Sequence, residues 1–128
     1  MENKELTKAE EQVMHFVWEM QRGFLKDIVE QFPSPHPAYT TISTVIRILV
    51  KKGFLGYKTY GKVYEYYPLI SKSQYFRSRL KPILSKYFSG SPSQFASYFT
   101  QESLNLSELE EIKQMIEEKI KKLKTKRK

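Results

Sequence analysis

Residues Tyr39 to Pro68 read YTTISTVIRILVKKGFLGYKTYGKVYEYYP, and two different periodicities meet inside them. From Thr40 to Lys52, Ile42, Val45, Ile46 and Leu49 recur at core spacing on one side of an α-helix, while Thr40, Ser43, Thr44, Arg47 and Lys51 fall at i, i+3, i+4, i+7 and i+11 on the other. Gly53 suits the end of that helix, and Lys51 and Lys52 sit favourably at the negative end of its dipole. Beyond it the period drops to two. Leu55, Tyr57 and Thr59 alternate with their neighbours, as do Tyr64 and Tyr66 after a turn at Tyr60-Gly61-Lys62. Two strands joined by a short basic turn make a hairpin, whose aromatic and β-branched content favours pairing and which Pro68 closes.

The chain before Tyr39 predicts two more helices. Leu6, Ala9, Val13, Phe16, Val17 and Met20 form one apolar stripe, with Thr7 and Glu10 spaced as a capping box at its start. Gly23 breaks the pattern, and Leu25, Ile28, Val29 and Phe32 resume it until Pro33-Ser34-Pro35-His36-Pro37 removes amide donors and halts the helix. Three helices followed by a hairpin predict a winged helix-turn-helix, an architecture that lays its third helix in a DNA major groove and its hairpin against phosphates.

The third helix carries the functional expectation. A helix used only for its core stripe shows mixed charge, including acids, on its outer side. Here the outer side has no acid. Thr40, Thr41, Ser43 and Thr44 are short groups suited to phosphates or base edges, and Arg47 has the reach for guanine O6 and N7 or a phosphate. Lys51, Lys58 and Lys62 add sequence-independent attraction, and from Tyr39 to Tyr67 five cations face the single acid Glu65. Tyr60, in the turn, is a candidate phosphate contact, whereas Tyr57, Tyr64, Tyr66 and Tyr67 are expected to pack across the strands or onto the helices. The expected partner is double-stranded DNA. The competing reading is a winged-helix protein-interaction module without sequence-specific DNA binding.

The remainder is helical. Phe76, Leu80, Ile83, Leu84 and Tyr87 make a stripe in which Pro82 predicts a kink or an early break. Ser91-Pro92-Ser93-Gln94 is a helix start before Phe95, Ala96, Tyr98 and Phe99. Ser107 and Glu110 give a second start before Leu109, Ile112, Ile116, Ile120 and Leu123, a narrow apolar seam. These stripes have too little between them for a core of their own and need a partner surface. A second copy of the chain is the simplest one, and a two-fold dimer would double the contacts on a palindromic site. Phe76, Leu80, Leu84, Phe95, Phe99, Leu109, Ile112, Ile116 and Ile120 are the candidate dimerisation residues. The expected fold is mainly α with a small β-hairpin wing: a winged helix-turn-helix DNA-binding domain over 1–70 and a helical dimerisation domain with a basic tail over 71–128.

Of 128 residues, 22 are Lys or Arg and 14 Asp or Glu, a net charge of +8. Residues 1–70 balance nine cations against eight acids and 71–118 six against six, so residues 119–128, with seven cations and no acid, hold almost all the excess. Such a tail reads as a solvated end or as a phosphate-contacting arm. There is no cysteine, and the two histidines, His15 beside an apolar stripe and His36 between prolines, offer no metal or nucleophile arrangement. The pairs Glu110-Glu111 and Glu117-Glu118 read as ordinary helix solvation, and no glycine-rich phosphate loop appears. No cofactor, metal or catalytic role is therefore expected. No apolar run approaches the roughly 20 residues of a membrane span, and the charged start MENKELTKAEE differs from a signal peptide, so a cytoplasmic protein without membrane insertion is expected.

Several segments carry a resemblance. Leu6-Thr7-Lys8-Ala9-Glu10-Glu11-Gln12-Val13-Met14 with Val17-Trp18, Thr41-Ile42-Ser43-Thr44, Leu49-Val50-Lys51-Lys52-Gly53 and Tyr64-Glu65-Tyr66-Tyr67-Pro68-Leu69-Ile70-Ser71 resemble the BlaI/MecI family of penicillinase repressors. Phe88-Ser89-Gly90-Ser91, Leu106-Ser107 and Leu109-Glu110-Glu111-Ile112-Lys113 continue it, in order, over nearly the whole chain. The resemblance implies a winged-helix DNA-binding domain, a helical dimerisation domain, and homodimeric repression at inverted-repeat operators, including those of beta-lactamase and related sensor-controlled genes. In the antibiotic-responsive members a membrane-bound sensor metalloprotease system causes cleavage at an Asn-Phe bond of the dimerisation domain. The corresponding pair here is Tyr98-Phe99, without the asparagine. The copper-responsive branch uses C-terminal cysteines, which this chain lacks, and Pro37 replaces the tryptophan usual before the recognition helix.

Overall fold

A computed structural model describes residues 5–102 and 104–126. In chain order they form α1 (Lys8–Met20), β1 (Gly23–Phe24), α2 (Leu25–Gln31), α3 (Tyr39–Lys51), β2 (Leu55–Tyr60), β3 (Val63–Pro68), α4 (Lys72–Phe88), α5 (Pro92–Gln101) and α6 (Leu106–Lys126). The mainly α fold with a hairpin wing is the one expected. The chain divides into two compact units, one through Lys81 and one from Pro82 onward.

In the first unit the capping box at α1 is reciprocal: the Glu10 amide donates to Thr7 Oγ1 over 3.2 Å and the Thr7 amide to Glu10 Oε1 over 3.0 Å. The apolar stripes then meet. Val13, Met14 and Val17 of α1, Ile28 and Val29 of α2, and Ile42, Ile46 and Leu49 of α3 bury together with Phe54 and Leu55, each aliphatic side chain stabilising the unit by roughly 1.5–3 kcal/mol. At the end of α3, Gly53 takes a left-handed φ of 85° and the Phe54 amide reaches back to the Leu49 carbonyl at 2.9 Å. A Cβ would strain this turn, which redirects the chain into β2. The hairpin closes over Gly61-Lys62 with a positive φ of 61° at Gly61, the pattern of a II′ turn.

The sheet has three strands in the order β1-β3-β2, all antiparallel, with Gly23 opposite Tyr66 and Phe24 opposite Glu65. The sequence shows Gly23 only as a break between helices. Two residues are too few to display an alternation, and β1 exists as a strand because β3 supplies its partners.

The first unit continues past residue 70, where the sequence divides the roles, for a physical reason. Tyr75 of α4 is buried, its ring 5.7 Å from that of Phe54 and 5.9 Å from that of Trp18, and its hydroxyl accepts the Leu6 amide at 3.3 Å. The Trp18 indole donates to the Ile70 carbonyl at 2.8 Å. Ser71 and Gln74 cap α4 reciprocally. The helix does not stop at Pro82, which corrects the early-break alternative. Proline withholds one amide from the Ser78 carbonyl, while the turns on either side stay helical. The division between the units falls at this residue.

In the second unit Ser91 caps α5 by accepting the Gln94 amide at 3.1 Å, as expected. The cap of α6 differs from the expected Ser107 and Glu110: Asn105 Oδ1 accepts the Glu108 amide at 2.8 Å and Glu108 Oε1 accepts the Asn105 amide at 3.0 Å, two residues earlier. Two overlapping capping patterns compete here, and the earlier one wins because it captures the whole of Leu106 and Ser107 in the first turn. Phe88, Phe95, Tyr98 and Phe99 cluster with ring separations of 5.6 to 5.9 Å. No described side chain of α5 or α6 is buried.

Candidate nucleic-acid interface

Three turns of α3 place Thr40, Thr41, Thr44, Arg47 and Lys51 in solvent, with Ser43 half-buried beside them. The Thr44 hydroxyl donates to the Thr40 carbonyl at 3.0 Å, so its hydrogen serves the helix while the exposed oxygen can still accept from an outside donor. The first turn of α3 contains no acid, and its N-cap, Ala38, offers no side-chain hydrogen bond. That sets α3 apart from α1, α4, α5 and α6, whose first turns are closed by Thr7, Ser71, Ser91 and Asn105. Amides at the start of α3 therefore keep donors for an outside acceptor, and a phosphate suits them.

The hairpin stands beside this helix start. Between them lies a cleft of about 550 Å³ lined by Phe24, Leu25, Lys26, Tyr39, Lys62 and Tyr64, with Asp27, Val63 and Tyr66 completing it. The tyrosines pack as expected: Tyr57 stacks on Tyr64 with ring centroids 4.3 Å apart, and both meet Tyr66 edge-on at 6.1 and 6.2 Å. Burial, with the neighbouring phenols Tyr64 and Tyr57, pushes the Tyr66 hydroxyl above its usual pKa, while Arg47 pulls the other way. Tyr66 is thus a protonated phenol at neutral pH.

Strand alternation sends Lys58 and Tyr60 to the face opposite Tyr57, Tyr64 and Tyr66. Tyr60 is exposed, packs edge-on against Phe24 at 5.9 Å, and lies under the Lys58 ammonium at 5.5 Å. Lys58 lines a separate hollow of about 330 Å³ with Gln21, Arg22, Glu65 and Tyr67. The structure therefore joins Lys62 to the start of α3 and sets Lys58 and Tyr60 on the other flank of the wing.

Two cleft residues escape a reading by pattern. Lys26 is the second residue of α2 and Tyr39 the first of α3, and tertiary packing, with β1 paired to β3, brings both to a cleft with Lys62. A third, Lys52, changes role. Its ammonium lies 2.6 Å from Glu10 Oε1 and 3.4 Å from the Glu5 carbonyl, pinning the end of α3 to the start of α1.

The candidate dimerisation residues fall into two groups. Phe76, Phe99, Ile116 and Ile120 are exposed, whereas Leu80, Leu84, Phe95, Leu109 and Ile112 are half-buried. Tyr98 and Phe99 lie inside α5, both exposed. Among the described residues no cluster of three His, Asp or Glu side chains is placed to hold a metal ion, and no helix is long and apolar enough to cross a membrane.

Comparison with known proteins agrees with this geometry. The chain is 29% identical over 123 residues to the methicillin resistance regulatory protein MecI of Mammaliicoccus sciuri, covering 93% of this chain and all of that one. It is 25% identical over 116 residues to the penicillinase repressor of Bacillus licheniformis, covering 89% and 91% of the two chains. Its fold is similar to the solution structure of the DNA binding domain of the repressor BlaI, with a TM-score of 0.51 and 28% identity over 58% of this chain and 92% of that domain. The profile of the family described as penicillinase repressor matches residues 6–118. With its winged helix, its acid-free third helix and that match, the chain belongs to the penicillinase repressor family.

Proposed function

We propose that this DNA-binding repressor acts as a homodimer on inverted-repeat operators, with α3 in the major groove and the hairpin on the flanking backbone. The observation that carries the reading is the exposed outer side of α3, rich in hydroxyls, free of carboxylates and open at its first turn. Thr41, Ser43, Thr44 and Arg47 take the base edges, and Lys51, Lys62 and Lys26 the phosphates. Exposed apolar side chains in the second unit, among them Ile116, Ile120 and Leu123 at 46–54% exposure, supply the dimer seam. Loss of pairing halves the contact set and releases DNA. A cut between Tyr98 and Phe99 by a sensor-linked protease would do this by dividing α5. The reading assigns the chain no reaction of its own.

Selection of bound sequences from a randomised duplex pool tests it. An inverted repeat is expected to emerge, and Arg47→Ala is expected to lose about 1–3 kcal/mol of affinity for that sequence if Arg47 makes a bidentate base contact. A pool that stays random after selection would instead support the protein-interaction module.

A further inference from the structure

The lysine-rich end of α6 has no part in the winged-helix grip. It also lies beyond the family match, which stops at residue 118. Along α6 the charges separate: from Leu106 to Glu118 there are five acids and one lysine, and from Lys119 to Lys126 five lysines and no acid. Helix geometry places Lys119, Lys122 and Lys126 on one strip and Lys121 and Lys124 on another, with the apolar row of Ile116, Ile120 and Leu123 between the strips.

A helix dipole accounts for cations only in the last turn. Lys119 lies about two turns before the end, at 1.5 Å per residue. Glu117 and Glu118 are spaced to face Lys121 and Lys122, but Lys119, Lys124 and Lys126 have no acid three or four residues away. Among the described residues the ion pairs are Lys52–Glu10 and Arg79–Glu5, so these lysines hold no partner in the fold. Lys119–Lys122, Lys121–Lys124 and Lys122–Lys126 are like-charge neighbours that oppose one another on the helix. The Thr125 hydroxyl, donating to the Lys121 carbonyl at 3.0 Å, lies within this crowded stretch. Such a surface is relieved by an external polyanion.

We infer that residues Lys119–Lys126 form a second, sequence-independent contact of this chain with the phosphates of duplex DNA. The inference rests on the DNA-binding reading above. An anionic membrane surface is the other polyanion with suitable chemistry. A basic amphipathic helix needs its apolar row free to enter a bilayer, and here that row belongs to the dimer seam. DNA requires only the two lysine strips.

The test compares the full chain with two variants, one carrying Lys119→Gln, Lys121→Gln, Lys122→Gln, Lys124→Gln and Lys126→Gln, the other with arginine at the same five positions. Affinity for a random-sequence duplex is measured as a function of salt. Each phosphate engaged adds about 0.9 to the slope of log affinity against log salt. The glutamine variant is expected to lower that slope by about 2 or more per dimer and to weaken random-duplex binding about tenfold at low salt. The arginine variant is expected to restore both, and the ratio of operator to random affinity should stay as in the parent. A glutamine variant with the parent's slope and affinity overturns the inference while leaving the winged-helix grip intact. So does an unchanged slope together with loss of binding to phosphatidylserine-containing vesicles, which would assign the segment to a membrane surface. A parent chain with no affinity for any duplex would overturn the DNA-binding reading itself.

Discussion

Glu10 shows how one residue comes to hold two jobs. Its spacing from Thr7 makes the capping role legible, because a cap is a three-residue affair. Its ion pair with Lys52 spans 42 positions, and no periodicity reaches that far. Burial works to raise the Glu10 pKa, but the hydrogen bond and charge of Lys52 and the Thr7 donors outweigh it, so the carboxyl titrates below the usual 4.5. A carboxyl depressed by folding contributes stability that is present above its unfolded pKa and lost as pH falls through the folded value. Glu10→Gln is therefore expected to cost about 1–3 kcal/mol at neutral pH and progressively less as the pH drops below 4.5. Urea unfolding followed through Trp18, the only tryptophan, checks this in the first unit. A gap between parent and variant that stays constant down into acid would contradict it.

Among the elements, those with long periods were legible and those made by their partners were not. The stripes of α1 and α3 and the alternation of the hairpin all show in the chain, because one buried face imposes a repeat on the residues that build it. β1 has no repeat to show, and the α6 cap had two overlapping candidates two residues apart. Pro82 misleads only in its early-break alternative: proline's local cost is real, yet a helix with intact turns on both sides absorbs it. The binding face was legible as far as it lies on one helix. The cleft between the start of α3 and the wing was not, since Lys26, Tyr39 and Lys62 converge only through tertiary packing. Lys62→Ala is expected to weaken binding to every duplex sequence alike and to reduce the salt slope by about 1. A loss confined to the operator would mean that Lys62 reads bases instead.

In the whole molecule, the second unit exposes an apolar row that water tolerates poorly. Ile116→Glu with Ile120→Glu is expected to give a monomer in sedimentation and to release operator DNA, while the unfolding of the first unit, followed through Trp18, stays unchanged. A double variant that still sediments as a dimer would place the seam elsewhere. The number of cations left for DNA also depends on how the molecule folds. An ammonium clasped by its own carboxylate has little left to offer a duplex, so of the two adjacent lysines that close α3, Lys51 alone is at liberty to displace small ions from DNA. Counting cations along the chain will therefore overstate the wing domain's footprint by one per chain, and the excess is greatest at a pH where Glu10 is fully ionised.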